Sequence, residues 1–283
     1  MNIELAQVYG FCPGVRRAVE MVNRHLHTEG PLSTLGAIVH NAQVVDALAD
    51  RGARVAENLE SVREPAVAIT AHGAGKALYQ EIGRRDLELV DTTCPIVKRA
   101  QEAAKHLAED GYAVLIYGEA AHPEVKGLLS WTEGRGHATL DPDSLRAIKE
   151  GKLALISQTT KGQEAFWRFV ERMVERLGPQ VQEMHVVDTT CPETGRRYDS
   201  ARELAQRVDA ILVVGSRNSA NTRKLAETCE ETGVRTYFIE SAEEIQGTWF
   251  NGVSRVGVTA GASTPDEAID QVIRRLQALE GGV

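Results

Sequence analysis

The sequence predicts an α/β chain of three pseudo-equivalent modules with mostly parallel sheets, on three observations. Short β-like runs alternate with helical patterns along the whole chain. The pentapeptide Asp-Thr-Thr-Cys-Pro occurs twice letter for letter, at 91–95 and at 188–192. A looser third copy, Gly10-Phe11-Cys12-Pro13-Gly14-Val15, has the same anatomy: a β-like run, a cysteine followed by proline, then a helical pattern. From Cys12 to Cys94 is 82 residues, from Cys94 to Cys191 is 97, and 92 remain to Val283. So even a division reads as an internal repeat, and repeats decide architecture. The expected modules are 1–92, 93–189 and 190–283, each carrying one of these cysteines near its start.

Strand candidates in order are 3–8, 32–35, 66–71, 87–90, 112–117, 153–157, 184–187, 210–214, 235–239 and 255–258. Helical periodicity fills much of the rest, for example 97–108 and 164–177. The acidic stretch 57–65 and the glycine-rich stretch 134–137 read as surface loops. No Gly/Ser- or Pro-rich linker separates the modules, so close packing is expected. In all three copies the proline falls in the first helical turn, where its missing N–H costs nothing. The cysteine before it sits at a helix N-terminus, which favours the thiolate.

Composition narrows the function. At 283 residues the chain can bury a core that needs no staple. A net charge of −8 gives no nucleic-acid footprint, and no nucleic-acid partner is expected. No apolar run reaches membrane-spanning length, so no membrane partner is expected either. The start, Met1-Asn2-Ile3-Glu4, lacks the basic and apolar regions of a secretory leader. Four widely spaced cysteines do not look like a disulfide framework. A reducing cytoplasm is therefore the expected location, and there cysteines read as metal-binding or catalytic.

In open α/β sheets ligands bind where strands end. The strand exits here carry Val39-His40-Asn41, His72-Gly73-Ala74-Gly75, His122-Pro123-Glu124, Gln158-Thr159-Thr160, Gly215 to Asn221 and Thr259 to Pro265. These are short donors and imidazoles beside helix starts, the usual way of holding phosphate. Each has a plainer reading. A single cysteine is most often a small core residue. Repetition at equivalent turns argues against that for Cys12, Cys94 and Cys191, while Cys229 lies mid-helix and reads as core. His25, His27, His106, His137 and His185 read as solvated or structural; His40, His72 and His122 share a position after strand ends. Ser219 and Asn221 also suit plain helix capping. Gly73-Ala74-Gly75-Lys76 fits neither a dinucleotide fingerprint nor a P-loop.

Three thiolates and a histidine could close a zinc site, although the close-paired ligands typical of zinc are missing. A cubane iron–sulfur cluster is normally tied by four cysteines, so three leave one iron open, as in a catalytic metal site. The residues point to a redox or Lewis-acid centre beside a phosphate-binding floor. A zinc-dependent phosphate-ester hydrolase and a non-enzymatic iron–sulfur sensor remain alternatives.

Taken together, the motifs resemble the LytB/IspH family of 4-hydroxy-3-methylbut-2-enyl diphosphate reductases. They are Gly-Phe-Cys-Pro-Gly-Val at 10–15, Val-His-Asn at 39–41, Ala-His-Gly at 71–73, Thr-Cys-Pro at 93–95 and His-Pro-Glu-Val at 122–125. Gln-Thr-Thr at 158–160, Gly-Ser-Arg-Asn-Ser at 215–219 and Thr-Ala-Gly-Ala-Ser at 259–263 continue the series in the family's order. The resemblance implies a trefoil of modules around a central [4Fe-4S] cluster held by Cys12, Cys94 and Cys191, with one open iron position. It implies reductive dehydroxylation of an allylic diphosphate to isopentenyl and dimethylallyl diphosphate, the last step of the methylerythritol phosphate pathway. Electrons would come from a ferredoxin- or flavodoxin-type donor. His40, His72, His122, Thr159, Ser219, Asn221 and Ser263 match substrate-binding residues, and Glu124 matches the proton donor. Two departures stand out. Ala220 stands where the family often has serine, leaving its backbone N–H to serve, and the segment Pro192 to Tyr198 is unusual after the third cysteine.

Glu124 carries a conflict. It follows Pro123 at a helix start, where the dipole favours the carboxylate. The expectation is an ionised Glu124 in the empty protein that takes up a proton when an anionic substrate binds.

Overall fold

The computed structural model describes residues 1–39, 41–144 and 151–280. The chain divides into two compact units. One comprises Met1–Arg16, Val39–Asp50 and Glu193–Val283; the other comprises Arg17–Ile38 and Arg51–Pro192.

The second unit contains two sheets. Strands β2 (Leu32–Leu35), β3 (Ala53–Ala56), β4 (Ala66–Ile69) and β5 (Glu88–Asp91) lie in the order β3-β2-β4-β5. Strands β6 (Ala113–Tyr117), β7 (Gly136–Thr139), β8 (Lys152–Ser157) and β9 (Glu183–Val186) lie in the order β7-β6-β8-β9. The first unit has one sheet, of β1 (Asn2–Leu5), β10 (Ala210–Val214), β11 (Arg235–Ile239) and β12 (Arg255–Ala260), in the order β1-β12-β10-β11. Every pairing is parallel. The α/β class with parallel sheets is therefore as the alternation indicated.

The three sheets follow one plan: second strand, first, third, fourth. In the last sheet the fourth place is taken by β1, from the opposite end of the chain. The strand that leads to a cysteine is always that fourth one: β5 before Cys94, β9 before Cys191, β1 before Cys12. Each cysteine thus follows the edge strand of its sheet; for Cys94 and Cys191 the other three strands precede it in the chain, and for Cys12 they come later. β1 falls in the stretch 1–92, yet it pairs with 255–258.

Two strands differ from expectation. The stretch 134–137 is not simply a loop, because Gly136 and His137 open β7. Ala53–Ala56 forms β3, which no pattern announced. Each occupies the equivalent edge of its own sheet, where hydrogen bonding on one side is enough, so short and polar segments are tolerated. Central strands are buried throughout and read clearly.

Parallel sheets are covered on both faces. Around β6 and β8, Val114, Ile116, Ala154 and Ile156 pack with Ala100, Ala104 and Leu107 of α4 (Pro95–Glu109) and with Val125 and Leu128 of α5 (Pro123–Trp131). The alternate residues Leu115, Leu153 and Leu155 pack with Phe166, Phe169, Val170 and Met173 of α6 (Gln163–Leu177). In the other unit, Val256 and Val258 face Ile269, Val272 and Leu276 of α9 (Asp266–Glu280). Ile211 and Val213 face Leu204 of α7 (Pro192–Ala205) and Leu225 of α8 (Ala220–Glu230). The remaining helices are α1 (Pro13–Thr28), α2 (Ala42–Ala49) and α3 (Lys76–Arg84). Among the described residues no helix is long and apolar enough to cross a membrane.

Phe166 is fully buried, whereas Val174 on the same helix is 47% exposed. Phe166→Ala should cost about 3–5 kcal/mol, and Val174→Ala should stay within about 0.5 kcal/mol of wild type. Denaturant midpoints of the two variants check this; equal midpoints would contradict the assigned core.

Candidate active site

The turns after β5 and β9 are built alike. In the first, the Asp91 carboxylate accepts hydrogen bonds from the Thr93 N–H at 3.0 Å and the Thr93 hydroxyl at 2.5 Å. In the second, Asp188 accepts from the Thr190 N–H at 2.9 Å and the Thr190 hydroxyl at 2.6 Å. The preceding threonines tie the turn to the adjacent strand: Thr92 donates to the Ile69 carbonyl at 2.5 Å and Thr189 to the Ser157 carbonyl at 2.6 Å. The repeated Asp-Thr-Thr therefore has a structural task that sequence reading left unassigned, although the repetition itself was the signal. Its product is a fixed cysteine. Cys94 caps α4 and its N–H donates to the Ala71 carbonyl at 3.0 Å; the Cys191 N–H donates to the Thr159 carbonyl at 2.7 Å.

The acceptor turns carry the histidine and threonine candidates. His72 follows Ala71 directly. Gly73 has φ +74°, and a Cβ there would lie 2.5 Å from Gln101 Nε2, so the Ala-His-Gly turn needs its glycine. The rings of His72 and His122 meet edge to face at 5.4 Å. His122 caps α5, its Nδ1 accepting from the Glu124 N–H at 3.2 Å.

Glu124 is fully buried. One carboxyl oxygen accepts from the Thr159 N–H at 2.5 Å and the other from the Thr159 hydroxyl at 3.0 Å. Loss of solvent pushes its pKa up to about 7, against the pull of the two Thr159 bonds and of Lys161. This corrects the expectation from the helix dipole. At a surface the dipole would prevail, but in a closed site desolvation of the carboxylate outweighs it. Glu124 is thus partly protonated near neutral pH before anything binds.

In the first unit, Cys12 repeats the pattern. Its N–H donates to the Ala262 carbonyl at 3.1 Å, its carbonyl accepts from the Arg16 N–H at 2.9 Å, and its Sγ accepts from the Val15 N–H at 3.4 Å. The same loop continues to Ser263, which is nearly buried, and Arg197 Nη1 donates to the Ala260 carbonyl at 2.7 Å beneath it. Arg197, in the unusual segment after Cys191, therefore has a definite anchoring bond. Ser219 caps α8, accepting from the Thr222 N–H at 3.3 Å, so the capping reading is correct as far as it goes. Ala220 and Asn221 form the first turn behind it. A Cβ at Gly261 would lie 2.2 Å from the Thr222 hydroxyl, so the turn 259–263 can approach this helix only as glycine. His40 lies outside the described residues.

Cys12, Cys94 and Cys191 are in no disulfide and are partly exposed. Cys229 differs: it is fully buried in α8 and its thiol is pushed up to about 12 by desolvation. It is a core residue, as its mid-helix place suggested.

The profile of the LytB protein family matches residues 3–277. A 4-hydroxy-3-methylbut-2-enyl diphosphate reductase of Dehalococcoides mccartyi (strain CBDB1) is 43% identical over 284 residues, covering 100% of both chains. One of Geobacter sulfurreducens is 44% identical over 281 residues, covering 99% of this chain and 98% of its own. Among solved structures, an (E)-4-hydroxy-3-methyl-but-2-enyl diphosphate reductase, described as the terminal enzyme of the non-mevalonate pathway, aligns with a TM-score of 0.78 at 38% identity, over 98% of this chain and 100% of that one. An E-1-hydroxy-2-methyl-but-2-enyl-4-diphosphate reductase from Plasmodium falciparum aligns with a TM-score of 0.87 at 25% identity, over 98% and 88%.

The buried carboxyl has a stability signature. Its value when folded, about 7, lies above the ordinary 4.5. The stability gained from a neutral Glu124 is therefore complete below about pH 4.5 and is lost as pH rises through about 7. Glu124→Gln stays neutral throughout. Its thermal stability relative to wild type should rise between about pH 5 and about pH 8; a gap that does not change with pH would contradict the raised value.

Proposed function

The chain belongs to the LytB protein family, and on that premise we propose that it reduces (E)-4-hydroxy-3-methylbut-2-enyl diphosphate to isopentenyl and dimethylallyl diphosphate. A ferredoxin- or flavodoxin-type protein would deliver the electrons, in the cytoplasm. The observation that carries the proposal is the cysteine turn made three times over, with the same backbone tie each time. We assign Cys12, Cys94 and Cys191, one from each of the stretches 1–92, 93–189 and 190–283, as ligands of a [4Fe-4S] cluster with one open iron position. Cysteines outside any disulfide, at three proline-led helix starts, suit this donor set. Zinc ligands usually come in close sequence pairs, which this chain lacks, whereas three widely separated thiolates suit a cubane with one open iron.

When bound, such a cluster supplies electrons one at a time and a Lewis-acidic iron position. The net change consumes two electrons and two protons: the allylic C–O bond breaks, a C–H bond forms, and the hydroxyl leaves as water. Glu124 holds one of these protons in a buried site, beside the Thr159 hydroxyl. Thr159 fixes the carboxyl through both oxygens and so keeps the proton at a set place. We assign the diphosphate to Ser219, Asn221, Ser263 and the Ala220 N–H, at the start of α8. His40, His72 and His122 complete the substrate contacts. His122 can present only its Nε2 side, because Nδ1 is occupied by the Glu124 N–H.

Anaerobically purified protein should contain about four irons and as many labile sulfides; stoichiometric zinc without labile sulfide would overturn the proposal. Ser in place of Cys12, Cys94 or Cys191 should each strip or cripple the cluster, while Cys229→Ser should keep it. Glu124→Gln should bind substrate and lose turnover by about 10²–10⁴-fold. A fully active Glu124→Gln would remove this residue from the chemistry.

A further inference from the structure

Glu124 and Thr159 sit on different turns, one after β6 and one after β8, and a second set of contacts joins those turns. The Glu119 N–H donates across to the Gln158 side chain at 3.1 Å, while the Lys161 N–H donates to the Gln158 carbonyl at 3.1 Å within the turn after β8. Lys161 Nζ meets the Glu119 carboxylate at 2.5 Å. The Glu119 carbonyl in turn accepts from the His122 N–H at 2.9 Å, so the pair connects directly to the capping residue of α5. Lys161 is the more enclosed partner, its side chain 21% exposed against 47% for Glu119.

Lys161, from the turn after β8, acts on the Glu124 carboxyl by its charge; His122 meets the Glu124 backbone N–H through Nδ1, and His72, from the turn after β4, meets the His122 ring edge to face. Lys161 is the permanent cation among them, and its charge stabilises the carboxylate. Glu119 stands against that cation and partly cancels its field.

We propose that the Lys161–Glu119 ion pair is a positioning pair for proton delivery: it clasps the two turns that carry Glu124 and Thr159, and its balance of charge sets how readily Glu124 releases its proton. The catalytic part of this rests on the reading of Glu124 as proton donor given above.

The two halves of the pair should act in opposite directions. Lys161→Met removes the cation, so Glu124 holds its proton more tightly. The alkaline limb of turnover by the cluster-loaded enzyme should then move up by about half a pH unit or more. Glu119→Gln leaves the cation uncancelled, and the limb should move down. Lys161→Arg keeps the charge and should keep the wild-type limb. A clasp that were only mechanical would lower turnover in both variants without moving the limbs apart.

The same shifts can be read without turnover. The C=O stretch of the protonated Glu124, identified by its disappearance in Glu124→Gln, is titrated by infrared difference spectroscopy in the cluster-loaded protein without substrate. Midpoints moving up in Lys161→Met and down in Glu119→Gln confirm the pair's role. Midpoints that coincide with wild type, or move the same way, overturn it. If the midpoints part while the turnover limbs do not, the clasp stands and Glu124 is not the donor.

Discussion

Three backbone hydrogen bonds hold the chemistry-bearing turns of this chain, each running from a cysteine N–H to a carbonyl in the turn after the neighbouring strand. Cys94 reaches Ala71, Cys191 reaches Thr159 and Cys12 reaches Ala262. In each case the acceptor stands beside a candidate ligand for the substrate: Ala71 precedes His72, Thr159 is one itself, and Ala262 precedes Ser263. A cysteine and a candidate substrate contact are thereby fixed to one another by the sheet's own parallel geometry. The helix behind each cysteine then starts with proline, which needs no partner for its nitrogen. Short donors can replace long cationic arms because these positions are set by backbone.

The carboxyl of Glu124 shows how the same scaffold tunes a side chain. Helix dipole, two Thr159 hydrogen bonds and a nearby lysine all favour the charged form, yet burial prevails and the pKa stands at about 7. The opposing effects leave the group poised where a proton donor at neutral pH should be. Fewer hydrogen bonds would strand it as a permanent acid, and more solvent would leave it a permanent carboxylate. The empty protein already has this balance, so a bound anion need only refine it.

Much of this was legible in the residues. The repeat of Asp-Thr-Thr-Cys-Pro located two of the three turns, and the central strands stood out because both faces are buried. The edge strands β3 and β7 did not stand out, because pairing rather than composition makes them strands. The raised pKa of Glu124 was illegible for a related reason: it arises from burial against residue 159, which lies 35 positions away. Local sequence showed only the helix start, and hence the opposite shift. Asp91 and Asp188 lay in plain view within the repeat, but their bonds to Thr93 and Thr190 identify them as turn braces only once the backbone is known.

The placement of β1 bears on how the protein is made. Its partners are residues 255–258, and Cys12 waits for Ala262. The sheets of β2–β5 and β6–β9 are contiguous in sequence, so each can close as it leaves the ribosome. Residues 2–5 cannot. At about 5–20 residues per second, the N-terminal strand and its thiol stay without their sheet for tens of seconds, until the final strand emerges. A nascent chain stalled before residue 255 would carry two finished cysteine turns and a third still unformed, so Cys12, made before Cys94 and Cys191, is the last of the three to be set in place.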